Sequence, residues 1–437
     1  MLKLFSFLIA ILTVGTAYTQ NNFDIATVMG YNILNYRNTF GDCSAANNPT
    51  GQKEDYLKKI IQHVEPDIVC FNEVGNSINN IASLQNNVMN VDGVTKYDFT
   101  DYQNSSSSLI NVTFYNNEVF ETYREEAITT DLSNIDIVRL VDVITFYYKD
   151  PQLAITQDTT FLTVFVAHLK AGQSGSDANR RARATESIMD YIANHPEISS
   201  NFLLVGDLNI YNATEDAFQN LVTGPTEQRF FDPINQVGNW ANSASYSYVH
   251  TQSTRLNQTN GGCFSGGGMD NRFDFILSSN AVLENTARVE YINNSYEALG
   301  QDGARFNQTI NFPANNQEPD EIIEALYEAS DHLPVLLDLK LSFSAPVSFR
   351  SIESEFEIKA TNPIRNYLSL DFFNSTAQVY SMRIFTSTGQ KVWEETLDIP
   401  EGKTSYVNDS QDLPKGLLLV QLTNEKGEST TLRIIKI

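Results

Sequence analysis

Eight short apolar runs, spaced from Phe23 to about Leu341 and alternating with helical patterns, constrain the fold of this chain more than any other feature. They span Asp24–Asn32, Ile68–Asn72, Leu109–Tyr115, Val138–Tyr148, Phe161–His168, Phe202–Gly206, Arg272–Leu277 and Pro334–Leu341. Runs of this length, rich in Val, Ile, Leu and Phe, read as strands buried in a sheet. Helices are expected over Gly51–Val64 and Arg180–Ala193. In the second, Ala184, Ile188, Tyr191 and Ile192 recur at helical spacing, with arginines in the first turn. Strands separated by helices imply layered α with β. Several strands follow one another with no helix between them, so the sheets are expected to be mixed and packed face to face. Long Gly- and Asn-rich connections at Gly41–Gly51, Thr254–Gly268 and Asn293–Asn316 read as surface loops, the usual place for function.

The two ends have a different character. MLKLFSFLIAILTVGTAYTQ has the order of an export signal: Lys3, an apolar core from Leu4 to Val14, then small residues, with cleavage expected after Ala17 or Thr19. The alternative is a buried N-terminal strand or helix. No later segment is apolar enough to cross a bilayer. Beyond Leu341 a linker or edge strand (Ser342–Ile358) leads to a region that reads as all β from Thr361. Its short strand runs are broken by turns at Ser387–Gly389, Pro414–Gly416 and Asn424–Gly427. The expected organisation is a signal at 1–19, a main domain at 20–343, a linker at 344–359 and a β-sandwich module at 360–437.

The net charge is −24. That excludes a protein that coats nucleic acid through bulk positive charge, but not an enzyme that meets phosphate through a cation and a few basic side chains. Of three cysteines, Cys70 lies in the apolar run DIVCF and reads as a free core thiol. Cys43 and Cys263 lie in loop-like sequence, where an oxidising compartment would let them pair. A Cα separation beyond about 7 Å would exclude it.

Chemistry gathers where the strands end. The segment NFLLVGDLNIY carries Asp207 and Asn209 two residues apart after Gly206, so an extended chain would aim both side chains the same way. VMGYNIL ends in Asn32, DIVCFNEVG places Asn72 and Glu73 after a buried run, and VFVAHLKAG does the same for His168 and Lys170. RFDFIL sets Asp274 inside a strand, and EASDHLPVLLDL sets Asp331 and His332 before the last one. Each has a plain alternative. Asp207–Asn209 is ordinary turn chemistry, Asp331 can cap a turn, and a lone His after a strand is often structural. Asp274 is harder to dismiss, because an unpaired carboxylate in an apolar strand costs several kcal/mol.

Taken in order, YNIL, NEV, HLKAG, GDLN, FDFIL and SDHLPV resemble the endonuclease/exonuclease/phosphatase superfamily over about Phe23–Leu341. The resemblance implies a four-layered α/β sandwich, two packed mixed sheets flanked by helices, with these residues at one edge. It implies Glu73 as principal ligand of a divalent cation, with Asn32 and Asp331 nearby. A hard cation on oxygen ligands means Mg²⁺ first, then Mn²⁺ or Ca²⁺. Asp207 and Asn209 would position the attacking water and the phosphate. His332, oriented by Asp274, would be general base or phosphate clamp, and His168 would stabilise the pentacovalent phosphate or protonate the leaving oxygen. Arg139, with Asn32 and Asn209, would contact phosphate. One departure stands out. The tyrosine that deoxyribonuclease-type members carry beside substrate has no match in QNSSSSLIN. Arg180, Arg181 and Arg183 could form a local basic patch or simply a solvated helix face.

The C-terminal segments NPIRNYLSL, RIFTSTGQKVW, LPKGLLLVQL and RIIKI resemble the sorting domain of type IX secreted proteins. The alternative is a generic immunoglobulin-like binding module. Together the resemblances imply an exported phosphodiesterase, released or held at the cell surface, without membrane insertion, expected to act as a monomer. Its partners would be nucleic acid as substrate and the type IX secretion machinery. A sphingomyelinase-like enzyme on phospholipid and a catalytically silent binding protein are the alternatives. The first would need an exposed apolar hairpin, and the second has no use for the full set of polar strand ends.

Overall fold

The computed structural model describes residues 23–103, 105–344, 356–374 and 376–437. The expected signal at 1–19 and most of the expected linker lie outside the described residues. The chain divides into two compact units, one ending at Ala345 and one beginning at Pro346.

In the first unit the elements run β1 (Phe23–Tyr36), α1 (Thr50–Val64), β2 (Ile68–Gly75), α2 (Ile78–Leu84), β3 (Tyr97–Phe99), β4 (Leu109–Asn116), β5 (Phe120–Thr130), β6 (Asp136–Tyr148), α3 (Leu153–Thr156) and β7 (Phe161–His168). They continue through α4 (Gly175–Asn194), β8 (Phe202–Asp207), α5 (Asp216–Val222), β9 (Phe230–Phe231), β10 (Asp274–Ser279), α6 (Asn280–Glu284), β11 (Val289–Tyr291), β12 (Glu297–Ala298), α7 (Asp320–Ala329) and β13 (Val335–Ser342). One mixed sheet has the order β11–β13–β1–β2–β4–β3, with β12 also on β13. The other has the order β5–β6–β7–β8–β10–β9.

Three apolar layers hold these sheets. One outer core packs Tyr31, Phe71 and Phe114 of the first sheet under Leu57 and Ile60 of α1 and Ile323 and Leu326 of α7. A second core lies between the sheets, where Val28, Cys70 and Leu337 meet Val164, Val205 and Ile276. The third packs Phe165, Leu204 and Phe275 of the second sheet against Ile188 of α4 and Phe218 of α5. Helix, sheet, sheet, helix is the expected four-layered α/β sandwich. The sheets approach so closely that a Cβ on Gly30 would meet Val205 at 2.7 Å.

Some boundaries depart from expectation. β1 extends to Tyr36 because Leu34 and Asn35 adopt left-handed φ and the β1–β2 register shifts between Asn32 and Tyr36. α4 starts at Gly175, ahead of Arg180, because Ser174 and Asp177 form a reciprocal capping box. β5 carries no strand signal in its sequence, because FETYREEAITT is the polar pattern of a half-exposed edge strand.

The second unit is all β: β14 (Phe356–Ala360), β15 (Tyr367–Asn374), β16 (Gln378–Thr386), β17 (Lys391–Ile399), β18 (Gly402–Asp409), β19 (Gly416–Asn424) and β20 (Ser429–Lys436). They form sheets of order β14–β15–β18 and β17–β16–β19–β20. Leu368, Leu370 and Phe372 of one alternate inward against Tyr380, Met382, Val420 and Leu422 of the other.

Candidate active site

The inter-sheet rows explain why a polar cluster forms at one edge. Side chains of one strand face alternate by two. The inward row of β1 reads Ala26, Val28, Gly30, Asn32, and that of β2 reads Ile68, Cys70, Asn72. Those of β7 and β8 read Val164, Val166, His168 and Leu203, Val205, Asp207. Each row is apolar along the core and turns polar at its last member. Register aligns those members: Asn32 with Asn72, His168 with Asp207, and Asp207 with Asp274. The antiparallel β10 brings Asp274 in as its first residue, so all the polar ends share one edge.

Asp207 is the hub, 2 % exposed. Its Oδ2 accepts from Asn32 Nδ2 at 3.0 Å, its Oδ1 from the Asn209 amide at 3.0 Å, and its own amide donates to Asn72 Oδ1 at 2.9 Å. Gly206 makes the last contact feasible. Its φ is +137°, and a Cβ there would lie 2.0 Å from the Ala167 carbonyl oxygen and 3.0 Å from Asn72 Oδ1. Asn72 is aimed in turn by Asn111, which donates to the carbonyls of Leu140 and Val166. Burial pushes the Asp207 carboxyl up to about 7, with Asp274 and Glu73 adding to the rise and His332 opposing it.

Two histidines flank this hub with opposite electrostatics. His332 Nδ1 lies 2.8 Å from Asp274 Oδ2, and its Nε2 lies 3.9 Å from Asp207 Oδ2. Burial opposes its charge, but Asp274, Asp207 and Asp331 outweigh burial and hold it well above the usual histidine value. His168 Nε2 lies 3.5 Å from Asp207 Oδ2 and 3.8 Å from Glu73 Oε1. There burial, then the nearby charges of Arg139 and His332, drive the value well below normal, so the ring is neutral. Gln252 Nε2 stands 2.7 Å from His332 Nε2. A neutral ring accepts from that amide, and a charged ring takes its oxygen instead.

Glu73 and Asp331 complete the edge. Glu73 follows the buried β2 run at a left-handed φ of 64°. Its Oε1 accepts from Asn32 Nδ2 at 3.1 Å and its Oε2 from the Asn35 amide at 2.9 Å. Asp331 Oδ2 accepts from the Ser265 amide at 2.9 Å, while its buried Oδ1 has no partner. Glu73, Asp331, Asp207, Asn209, His168, His332 and Arg139 all line one cavity of about 280 Å³. Two carboxylates with held geometry, one retaining a free buried oxygen, form an oxygen donor set that suits a hard divalent cation. Asp207, Asp274 and His332 also bring one donor atom each within 4.8 Å of one another. His332 is a poor ligand there, because its Nδ1 is engaged by Asp274 and the ring is held in its cationic form.

The structure thus gathers Asn32, Glu73, His168, Asp207, Asn209, Asp274, Asp331 and His332 at one edge. Arg139 joins them by packing beneath His168, its Nη1 donating to the Leu169 carbonyl at 3.1 Å. Of the α4 arginines, read as either a local basic patch or a solvated helix face, Arg181 and Arg183 are engaged within the fold. Buried Arg181 pairs with Glu215 and holds the carbonyls of Lys170 and Gly172, and Arg183 pairs with Asp131. Sequence reasoning missed Gln252 and Asn111, whose flanking residues give no strand-end signal.

Cys43 and Cys263 form a disulfide with a Cα separation of 4.4 Å, and both line the cavity. Cys70 is a buried free thiol, as expected. Among the described residues no helix is long and apolar enough to cross a membrane.

Residues 29–332 match the model of the Endonuclease/Exonuclease/phosphatase family, and residues 362–436 match that of the Secretion system C-terminal sorting domain. No curated protein matches the chain. Similar solved structures include the human Nocturnin catalytic domain with bound sulfate anion, at 14% identity and a TM-score of 0.44, covering 73% of this chain and 98% of that one. Another is D. rerio TDP2 complexed with single strand DNA product, at 11% identity and 0.45, covering 72% and 98%. A third is an endonuclease/exonuclease/phosphatase from Beutenbergia cavernae, at 14% and 0.38, covering 94% and 100%.

Proposed function

As the chain belongs to the endonuclease/exonuclease/phosphatase family, and ends in a match to a secretion sorting domain, we propose that it is a secreted, divalent-cation-dependent phosphodiesterase that hydrolyses extracellular DNA or RNA. One observation carries this reading. Glu73, Asp207 and Asp331 line a single cavity, with Asp274 behind, against two cationic groups, His332 and Arg139. A phosphodiester would be repelled by that surplus of carboxylates unless a bound cation offset it, and the unpartnered Asp331 Oδ1 leaves a donor for one.

Glu73 and Asp331, with Asn32 beside them, would hold Mg²⁺, Mn²⁺ or Ca²⁺. When bound, the cation acts as a Lewis acid on a phosphoryl oxygen. The protein's own groups do the rest. Asp207, raised to about 7, is poised to take a proton from the attacking water near neutral pH. Asn209 orients that water and the phosphate. His332 serves as clamp, since a ring held cationic by Asp274 cannot also be the base but can neutralise charge developing on phosphate. Neutral His168 offers an N–H toward the leaving side, and Arg139 supports the strand that carries it.

The test is a panel of plasmid DNA, single-stranded DNA, RNA, sphingomyelin and a simple phosphomonoester, each with Mg²⁺, Mn²⁺ or EDTA. Nucleic-acid cleavage lost with EDTA is expected. The 59 % exposed ring of Phe40 at the cavity rim makes phospholipid the second reading, and cleavage of lipid alone would establish it instead. The C-terminal unit would direct export through the type IX machinery, and nothing among its described residues resembles a catalytic cluster.

A further inference from the structure

The Cys43–Cys263 disulfide touches both sides of the candidate cation site. On one side, Asn35 Nδ2 donates to Cys43 Sγ at 3.4 Å, and the amide of the same Asn35 holds Glu73 Oε2 at 2.9 Å. On the other, Ser265 lies two residues after Cys263, and its amide holds Asp331 Oδ2 at 2.9 Å. The two loops have a sequence separation of 220 residues and meet at the cavity wall. Around them Leu34, Cys43, Cys263 and Phe264 form a small apolar cluster of their own, outside the three main layers. The global cores therefore do not depend on this bond, whereas the placement of two carboxylates does.

We propose that the Cys43–Cys263 disulfide is a positioning element that sets Glu73 and Asp331 for the cation, so that the site matures by oxidation. Forming it removes two protons and two electrons from the thiols, which pass to a disulfide oxidant of the compartment beyond the cytoplasm. Before export the reduced chain keeps its fold but binds the cation weakly. A phosphodiesterase that cleaves nucleic acid is thereby held down where the cell keeps its own. The inference rests on the cation reading above, and the experiment separates the two.

Mn²⁺ binding to the full chain is measured by equilibrium dialysis, with free Mn²⁺ read by electron paramagnetic resonance. The samples are oxidised protein, protein reduced with a phosphine, the C43S/C263S variant and Asn35→Gly. Near-UV circular dichroism follows the fold. Asn35→Gly keeps the amide and tolerates the φ of 48° while removing the side-chain link to the disulfide. Losing groups that orient a ligand weakens metal binding by about 10–100-fold. A rise of about tenfold or more in the Mn²⁺ dissociation constant is therefore expected for the reduced and C43S/C263S proteins, with a smaller rise for Asn35→Gly. Reoxidation with glutathione disulfide should restore tight binding to the reduced sample. Equal affinity in oxidised and reduced folded protein would overturn the proposal. Should the cysteine variants not fold, unchanged affinity in Asn35→Gly would overturn it. Absence of Mn²⁺ binding by the oxidised wild type would sink the cation reading and this one with it.

Discussion

Replacing Asp274 with Asn isolates the charge that keeps His332 cationic. The amide preserves the shape of the side chain and can still accept from Nδ1, so packing is little disturbed. The electrostatic change is large. At an effective dielectric of about 20, Asp274 at 2.8 Å from the ring is worth about 6 kcal/mol and Asp207 at 3.9 Å about 4 kcal/mol. Asp274 therefore supplies more than half of the support these two give. With that support gone, burial wins and His332 becomes neutral near pH 7. The chain has five histidines, so nitrogen-15 spectra can follow each ring through a titration. In wild type His332 should stay charged through the neutral range, and in Asp274→Asn it should titrate below the ordinary histidine value. Turnover should fall about a hundredfold or more, the scale of a lost charge-stabilising group. Stability has a definite sign. The folded value lies above the unfolded one, so the contribution of His332 is fully present below about pH 6.5 and is lost as pH rises through the folded value. The stability gap between wild type and variant should accordingly close in alkaline solution. A variant whose His332 keeps its charge to the same pH, with wild-type turnover, would refute the assignment of Asp274 as the source of that charge.

Other consequences follow from the same geometry. Glu73→Ala should lower turnover by about a hundredfold or more and weaken Mn²⁺ binding, read by dialysis and by the metal dependence of the rate. Gly206→Ala should cost about 3 kcal/mol or more in urea unfolding, because the new Cβ would lie 2.0 Å from the Ala167 carbonyl oxygen at a φ that L residues avoid. Lys53 is buried, donates to the carbonyls of Ile33, Leu34 and Ala329, and is pushed down to about 7 by burial. Its folded value lies below the unfolded value of about 10.4, so wild-type stability should rise with pH between the two. Lys53→Met should abolish that rise and cost about 2–4 kcal/mol, measured by denaturant unfolding across the pH range.

How much was legible in the sequence depended on whether the information was local. The strand runs at Phe161–His168 and Phe202–Gly206 are readable because their side chains are buried on both faces, which leaves a continuous apolar stretch. β5 is not, since an edge strand half in water carries Glu and Arg on its open face. α7 is amphipathic but spans only ten residues, too few turns for its period to stand out between the polar Asn293–Asn316 stretch and the SDH segment. The arginines of α4 show the opposite failure. Their clustering on one helix was plain, but the pairing of Arg181 with Glu215 and of Arg183 with Asp131 lies at separations no local pattern encodes.

The site divides the same way. Polar residues that end apolar runs announced themselves, because burial makes a polar exception conspicuous: Asp274 between two phenylalanines is the clearest case. Residues that act on those residues did not. Gln252 faces His332 from a loop 80 positions away, and Asn111 reaches Asn72 across a strand pair, each with neighbours that look like ordinary loop or strand. The pH behaviour was equally hidden. His168 ends a strand and His332 precedes one, and neither position tells that one is held charged and the other neutral. The difference is that His332 has a carboxylate at hydrogen-bond distance, while buried His168 Nδ1 has no partner and two cations stand nearby. Chemical role at this edge is therefore set by the third dimension: the sequence names the groups, and the register that lays His168, Asp207 and Asp274 side by side decides which one carries a proton.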